Sequence, residues 1–120
     1  MASSETIAAI AEVVKTYATA MVAGDRAELE RVCFENACEV GHYEGELLWN
    51  SRDAFIRMCE EEGDKSATAW WSIRNLSVHD DIAIVHVEDE WAGLRFDTSL
   101  TMLLHDGAWR VVSKVYRIQP

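Results

Sequence analysis

Arg95-Phe96-Asp97-Thr98-Ser99-Leu100-Thr101-Met102-Leu103-Leu104-His105-Asp106-Gly107-Ala108-Trp109-Arg110-Val111-Val112-Ser113-Lys114-Val115-Tyr116-Arg117-Ile118 is the stretch whose reading decides the fold. Asp106-Gly107 signals a tight hairpin, because the favoured turn needs positive φ at its central residues and Asp and Gly tolerate that best. The flanks alternate in character and carry many β-branched and aromatic side chains, so residues 95–105 and 109–118 read as two antiparallel strands. Working back, Ala92 and Gly93 turn the chain out of a third alternating segment, 82–91. His79 to Asp81 turns it out of a fourth, 68–78. The second half is therefore a meander of four long strands.

The first half has a different period. Ile7, Ile10, Val14, Tyr17 and Met21 recur at spacings of three and four, which predicts a helix with one core-facing stripe, capped at Ser4 and ended by Gly24. Asp25 with Glu28 makes a capping-box pattern for a short second helix through about Cys33. Residues 39–49, with Gly41 and Gly45 around Tyr43 and Leu47, read as a short hairpin. Asn50 or Ser51 then caps a third helix, which turns Phe55, Ile56 and Cys59 inward and ends near Gly63; the polar residues 60–66 follow as a loop. Helices grouped before strands imply one α+β domain over 1–120, a cone-shaped curved antiparallel sheet wrapped around three helices. Where the long helix does not fill that concavity, a cavity remains.

Composition narrows the function. The 120 residues are 49% hydrophobic with a formal net charge of −10, enough for one core and no second domain. Without a Lys/Arg cluster, neither nucleic acid nor an anionic membrane surface is an expected partner. No apolar run approaches the length of a bilayer span and the N-terminus lacks the pattern of a signal peptide, so a cytoplasmic location is expected. Cys33, Cys38 and Cys59 are odd in number and lack CxxC spacing, which fits reduced core thiols. HExxH spacing, a glycine-rich phosphate loop and a GxSxG elbow are all absent, and neither a metal nor a cofactor is expected.

The first helix running into Val22-Ala23-Gly24-Asp25, Phe34-Glu35-Asn36-Ala37, Gly45, Ser51-Arg52-Asp53-Ala54-Phe55, Asp81-Ile82-Ala83 and Asp106-Gly107-Ala108-Trp109-Arg110-Val111-Val112 with Lys114 follow one another in an order that resembles the nuclear transport factor 2-like (NTF2-like) superfamily. Within it the chain is similar to the small bacterial SnoaL-like and lumazine-binding-like proteins. The resemblance covers nearly the whole chain and implies a cystatin-like cone, often dimeric through the outer sheet face. It does not imply one activity, since isomerases, dehydratases, cyclases, epoxide hydrolases and non-catalytic binders share this scaffold. Tyr17 to Asp25 resembles the ketosteroid isomerase segment whose tyrosine donates to the substrate oxygen. That family's base position falls on Gly41 and its protonated aspartate near Ser99, so the resemblance does not extend to steroid isomerisation. Arg95-Phe96-Asp97 is similar to the Arg-x-Asp pair of limonene epoxide hydrolase, without a second aspartate on the last strand.

Alternation divides residues 95–105 into a polar row, Arg95, Asp97, Ser99 and Thr101, and an apolar row, Phe96, Thr98, Leu100 and Met102. A half-buried strand ordinarily turns its apolar row to the core. The resemblance implies the reverse, with the polar row lining the cone and Phe96, Leu100 and Met102 in a subunit interface. On that reading Val112, Lys114 and Tyr116 also point inward, as do Val85, Val87, Asp89 and Trp91, and Asp97 can reach Lys114. The expected protein is a homodimer that binds a small, mostly apolar or aromatic molecule through Tyr17, Trp91, Asp97, Ser99, Lys114 and Tyr116. The alternatives are an isomerase, dehydratase or cyclase with His42 or Asp97 as general base and Tyr17 as oxyanion donor, or a dimerisation module whose cavity its own side chains fill. An unpaired base facing open volume would favour the enzyme.

Overall fold

A computed structural model describes residues 2–120. Helix α1 spans Ser4–Ala23, with Ser3 rather than Ser4 as its N-cap, accepting from the Thr6 N–H. Gly24 ends it in the left-handed region at φ 69°. A side chain at Gly24 would also strike the Cys59 carbonyl oxygen, 2.8 Å from an added Cβ. Asp25 caps α2 (Arg26–Val32), accepting from the Glu28 N–H. The chain enters β1 (Cys33–Tyr43) directly, turns at Glu44-Gly45 into β2 (Glu46–Ser51), and continues into α3 (Arg52–Glu62), capped by Ser51. Four strands complete the chain: β3 (Trp71–His79), β4 (Ile82–Trp91), β5 (Leu94–His105) and β6 (Ala108–Ile118).

One six-stranded sheet results, in the order β2-β1-β6-β5-β4-β3. It is mixed rather than wholly antiparallel, because β1 lies parallel to β6. Register shifts in β3, along β1 and between β5 and β6 bend the sheet around the helices. On α1, Ile10, Val14, Tyr17 and Met21 are buried against it, while Ile7 is exposed. This helix is long and apolar enough by length and composition to cross a bilayer, yet its inward stripe is part of the core. Cys33 and Cys59 are buried, Cys38 is half-buried, and all three are free thiols.

The direction of β5 overturns the expectation that its polar row lines the cone. Phe96, Thr98, Leu100 and Met102 are buried inside, while Arg95, Asp97, Ser99 and Thr101 lie on the outer face. The cause is the two-residue turn Ala92-Gly93. It pairs Trp91 with Leu94, and so sets Val85 opposite Leu100, Val87 opposite Thr98 and Asp89 opposite Phe96. Directly opposed residues share a face, so an inward Val85-Val87-Asp89 row carries the even-numbered row of β5 inward with it. On β6, Lys114 and Tyr116 are buried as expected but Val112 is exposed. Val112 is the extra residue of a bulge, since Thr101 pairs with Ser113 and Met102 with Val111.

Gly41 marks a close approach. An added Cβ would sit 2.5 Å from the Tyr116 carbonyl oxygen and 2.8 Å from its ring. The ring of Tyr116 thus covers the position where the ketosteroid isomerase pattern would hold a carboxylate. Gly41→Ala is expected to cost about 1–3 kcal/mol of stability by overpacking, read as a lowered urea midpoint with an unchanged m-value.

Candidate functional site

The inner faces of β1, β4, β5 and β6 converge with α1 and α3 on a narrow cleft. It amounts to about 370 Å³ of non-atom space including its open mouth. Tyr43, Trp91, Phe96 and Tyr116 line the aromatic side, and Met21, Phe55, Met58 and Cys59 come from the helices. Phe96 lies edge-on to Tyr116 with centroids 5.7 Å apart, and stacks with Tyr43 at 6.5 Å. A second space of about 280 Å³ lies behind Phe55, reached by Tyr17, Arg52 and Val111; Glu39, Phe55 and Lys114 border both.

Three charged side chains line the cleft: Glu39, Asp89 and Lys114. The parallel register of β1 and β6 sets Glu39 directly beside Lys114. The Lys114 Nζ is 3.4 Å from Glu39 Oε2, and Asn50 donates to the other Glu39 oxygen at 3.0 Å. The ammonium also lies 4.7 Å from the Phe55 ring centroid, 5.2 Å from that of Tyr17 and 5.5 Å from that of Tyr116, so rings surround the faces that Glu39 leaves free. Its remaining contact is the Met21 Sδ at 3.6 Å.

Asp89 is different. It is 1% exposed; Oδ1 accepts from the Thr98 hydroxyl at 3.0 Å, and Oδ2 is buried with no partner. Burial pushes its pKa up, opposed by the charge of Lys114 and the Thr98 hydrogen bond. The Tyr17 hydroxyl is held well above the ordinary phenol range, first by burial and then by Asp89 and Glu39. It donates to the Met21 Sδ at 3.4 Å. Burial also pushes Tyr116 up to about 12, Cys33 to about 11 and Cys59 to about 12, so the phenols and thiols keep their protons near neutrality.

Of the residues expected to form the site, Trp91, Lys114 and Tyr116 line the cleft together. Tyr17 lies deeper, behind Phe55, whose ring it stacks on at 6.3 Å, rather than at the mouth. Asp97 and Ser99 lie outside. Asp97 accepts from Gln119 at 3.0 Å, with His86 at 3.7 Å and Arg117 at 3.9 Å, and does not meet Lys114. His42 is exposed on β1, opposite Leu47 on β2. Glu39 and Asp89 take the acidic places inside. The signal for Asp89 was an acid in the inward row Val85-Val87-Asp89-Trp91; that for Glu39 was its place two residues before Gly41, on the same face.

Residues 5–117 match the family described as "Putative lumazine-binding". The chain belongs to this family. An NTF-2 like protein of unknown function from Silicibacter pomeroyi is 60% identical over 99% of this chain and 100% of that one, with a TM-score of 0.96. An NTF2-like protein of unknown function from Shewanella baltica is 20% identical (100% and 98% covered, TM-score 0.88). A ketosteroid isomerase-like protein from Erwinia carotovora atroseptica is 14% identical (98% and 100% covered, TM-score 0.75). These last two likenesses concern the fold alone. No curated protein matches the chain. In this lumazine-binding family member the α+β cone is thus the NTF2-like fold, and its own inner residues must carry the argument about function.

Two stability measurements test the arrangement. Lys114→Met should cost about 3–5 kcal/mol by leaving Glu39 buried without its counter-charge, and adding Glu39→Gln should restore most of that loss in urea unfolding. Asp89 ionises less readily folded than unfolded, so the wild-type protein loses stability as pH rises from about 4 through the raised folded-state value. Asp89→Asn cannot ionise. Its urea midpoint should therefore gain on the wild type between pH 4 and pH 8.

Proposed function

We propose that the protein binds a small, mostly apolar or aromatic molecule in the cleft, with Asp89 meeting the ligand's polar group. The observation that carries this reading is the buried, unpartnered Oδ2 of Asp89. An unmade hydrogen bond there costs about 1–3 kcal/mol, which a ligand group at the base of the cleft would recover. The rings of Tyr43, Trp91, Phe96 and Tyr116 offer an apolar wall to the rest of the molecule.

A second reading, proton-transfer catalysis of the isomerase, dehydratase or cyclase type, is favoured by one observation. Asp89 is an incompletely paired carboxyl with a raised pKa on the wall of the cleft, features suited to a general acid or base. In this reading Asp89 takes the part otherwise given to His42 or Asp97, both of which face away from the cleft.

We also propose a homodimer through the outer sheet face. Trp49, Val40 and Val115 are cross-strand neighbours there, with Trp49 71% and Val115 52% exposed. Ile84 and Leu47 extend the apolar surface. Native mass spectrometry of freshly purified protein tests both proposals. It should show a dimer carrying a co-purifying small molecule, and Asp89→Leu should lose that mass while keeping the dimer. A ligand retained in full by Asp89→Leu would remove the binding reading, and a monomer would remove the dimer.

A further inference from the structure

The chemical class of the ligand can be argued from charge, and the argument rests on the reading that the cleft takes a ligand. Two carboxyl groups and one ammonium line it, and Glu39 with Lys114 forms the close pair. Asp89 is left with one hydroxyl donor and one bare oxygen. Among the described residues the groups around it contribute no second cation: Lys114 and Tyr116 face the cleft from β6, Glu39 and Tyr43 from β1, and Cys59 from α3. The interior is therefore one positive charge short when Asp89 is ionised, and the whole chain, at −10, attracts cations.

We infer that the ligand is a primary amine on an aromatic or apolar body, its ammonium set against Asp89 Oδ2 and its body held by the rings that line the cleft. Two features select this class. An anionic head would meet two acids, whereas an ammonium makes a charge-assisted hydrogen bond to a carboxylate already withdrawn from water. The rings of Trp91 and Tyr116 line the same cleft and would add quadrupole attraction for a cation. Lys114 also acts on Asp89, but Glu39 at 3.4 Å shares its charge, so one ammonium serves two carboxyl groups.

A matched series tests the inference: benzylamine, benzyl alcohol and benzoate, titrated into the protein at pH 7.5 and followed by the tryptophan indole N–H signals in NMR. Benzylamine should bind at least about tenfold more tightly than benzyl alcohol and benzoate more weakly than either. Asp89→Asn, which keeps the side chain's shape, should reduce the amine-to-alcohol ratio to near one. Equal or tighter binding of the alcohol overturns the amine assignment and leaves the cleft as a binding site for neutral molecules. An amine preference that persists in Asp89→Asn also overturns it, since the chain's overall charge would then be its source. If none of the three binds at tens of millimolar, the ligand-binding reading fails, and this inference with it.

Discussion

Burying an ammonium among aromatic rings is costly unless a carboxylate meets it, and the rest of the interior follows from how Lys114 satisfies that condition. The partner, Glu39, comes from β1, which reaches β6 only because the chain crosses over to lie parallel to it. Glu39 is itself buried, so its second oxygen also needs a donor, and Asn50 on β2 supplies one. The outer edge of the sheet, its parallel junction and its centre are thus tied through one ion pair. The helices close over it: Met21 from α1 gives its sulfur to both Lys114 and Tyr17, and Phe55 from α3 stacks on the Tyr17 ring and meets the Lys114 ammonium.

That network explains why a cone of this size is nearly full. Tyr17, Phe55, Met21 and Lys114 are buried together between the helices and the sheet. The Tyr116 ring occupies what a side chain at position 41 would fill. What remains is a narrow cleft walled largely by aromatic rings. A site of this shape discriminates by the chemistry of one small group more than by the outline of a large one, because few atoms of any ligand can be wholly enclosed.

Much of this was legible in the sequence, and the misreading has a definite source. Helix ends at Gly24 and Asp25 and hairpins at Gly93 and Gly107 depend on local backbone preference, which few residues can satisfy, and they fall where those residues stand. The Ala92-Gly93 turn also held the answer to which face of β5 is buried. Once Trp91 pairs with Leu94, an inward Asp89 and an inward Asp97 are mutually exclusive. Setting the polar row inward because of the superfamily resemblance broke that local rule. The bulge at Val112 left no comparable mark, since an inserted residue in an alternating Val-rich strand looks like any other. Glu39 meeting Lys114 was equally hidden, being set by a junction between strands at opposite ends of the chain.

Glu39 and Asp89 are both buried acids, and the contrast between them separates architecture from function. Both oxygens of Glu39 are met, one by an ammonium and one by an amide, so its burial is accounted for within the fold. Asp89 stands in a row whose other buried members, Val85 and Val87, pack without polar cost, and an aliphatic residue there would complete the row. Instead the position holds a carboxyl that gains one hydrogen bond from Thr98, leaves its other oxygen bare and gives up hydration in the process. Such a group weakens the unliganded protein. A sequence whose caps, turns and alternation otherwise agree with its fold departs from that agreement at Asp89, which stands on the wall of the cleft.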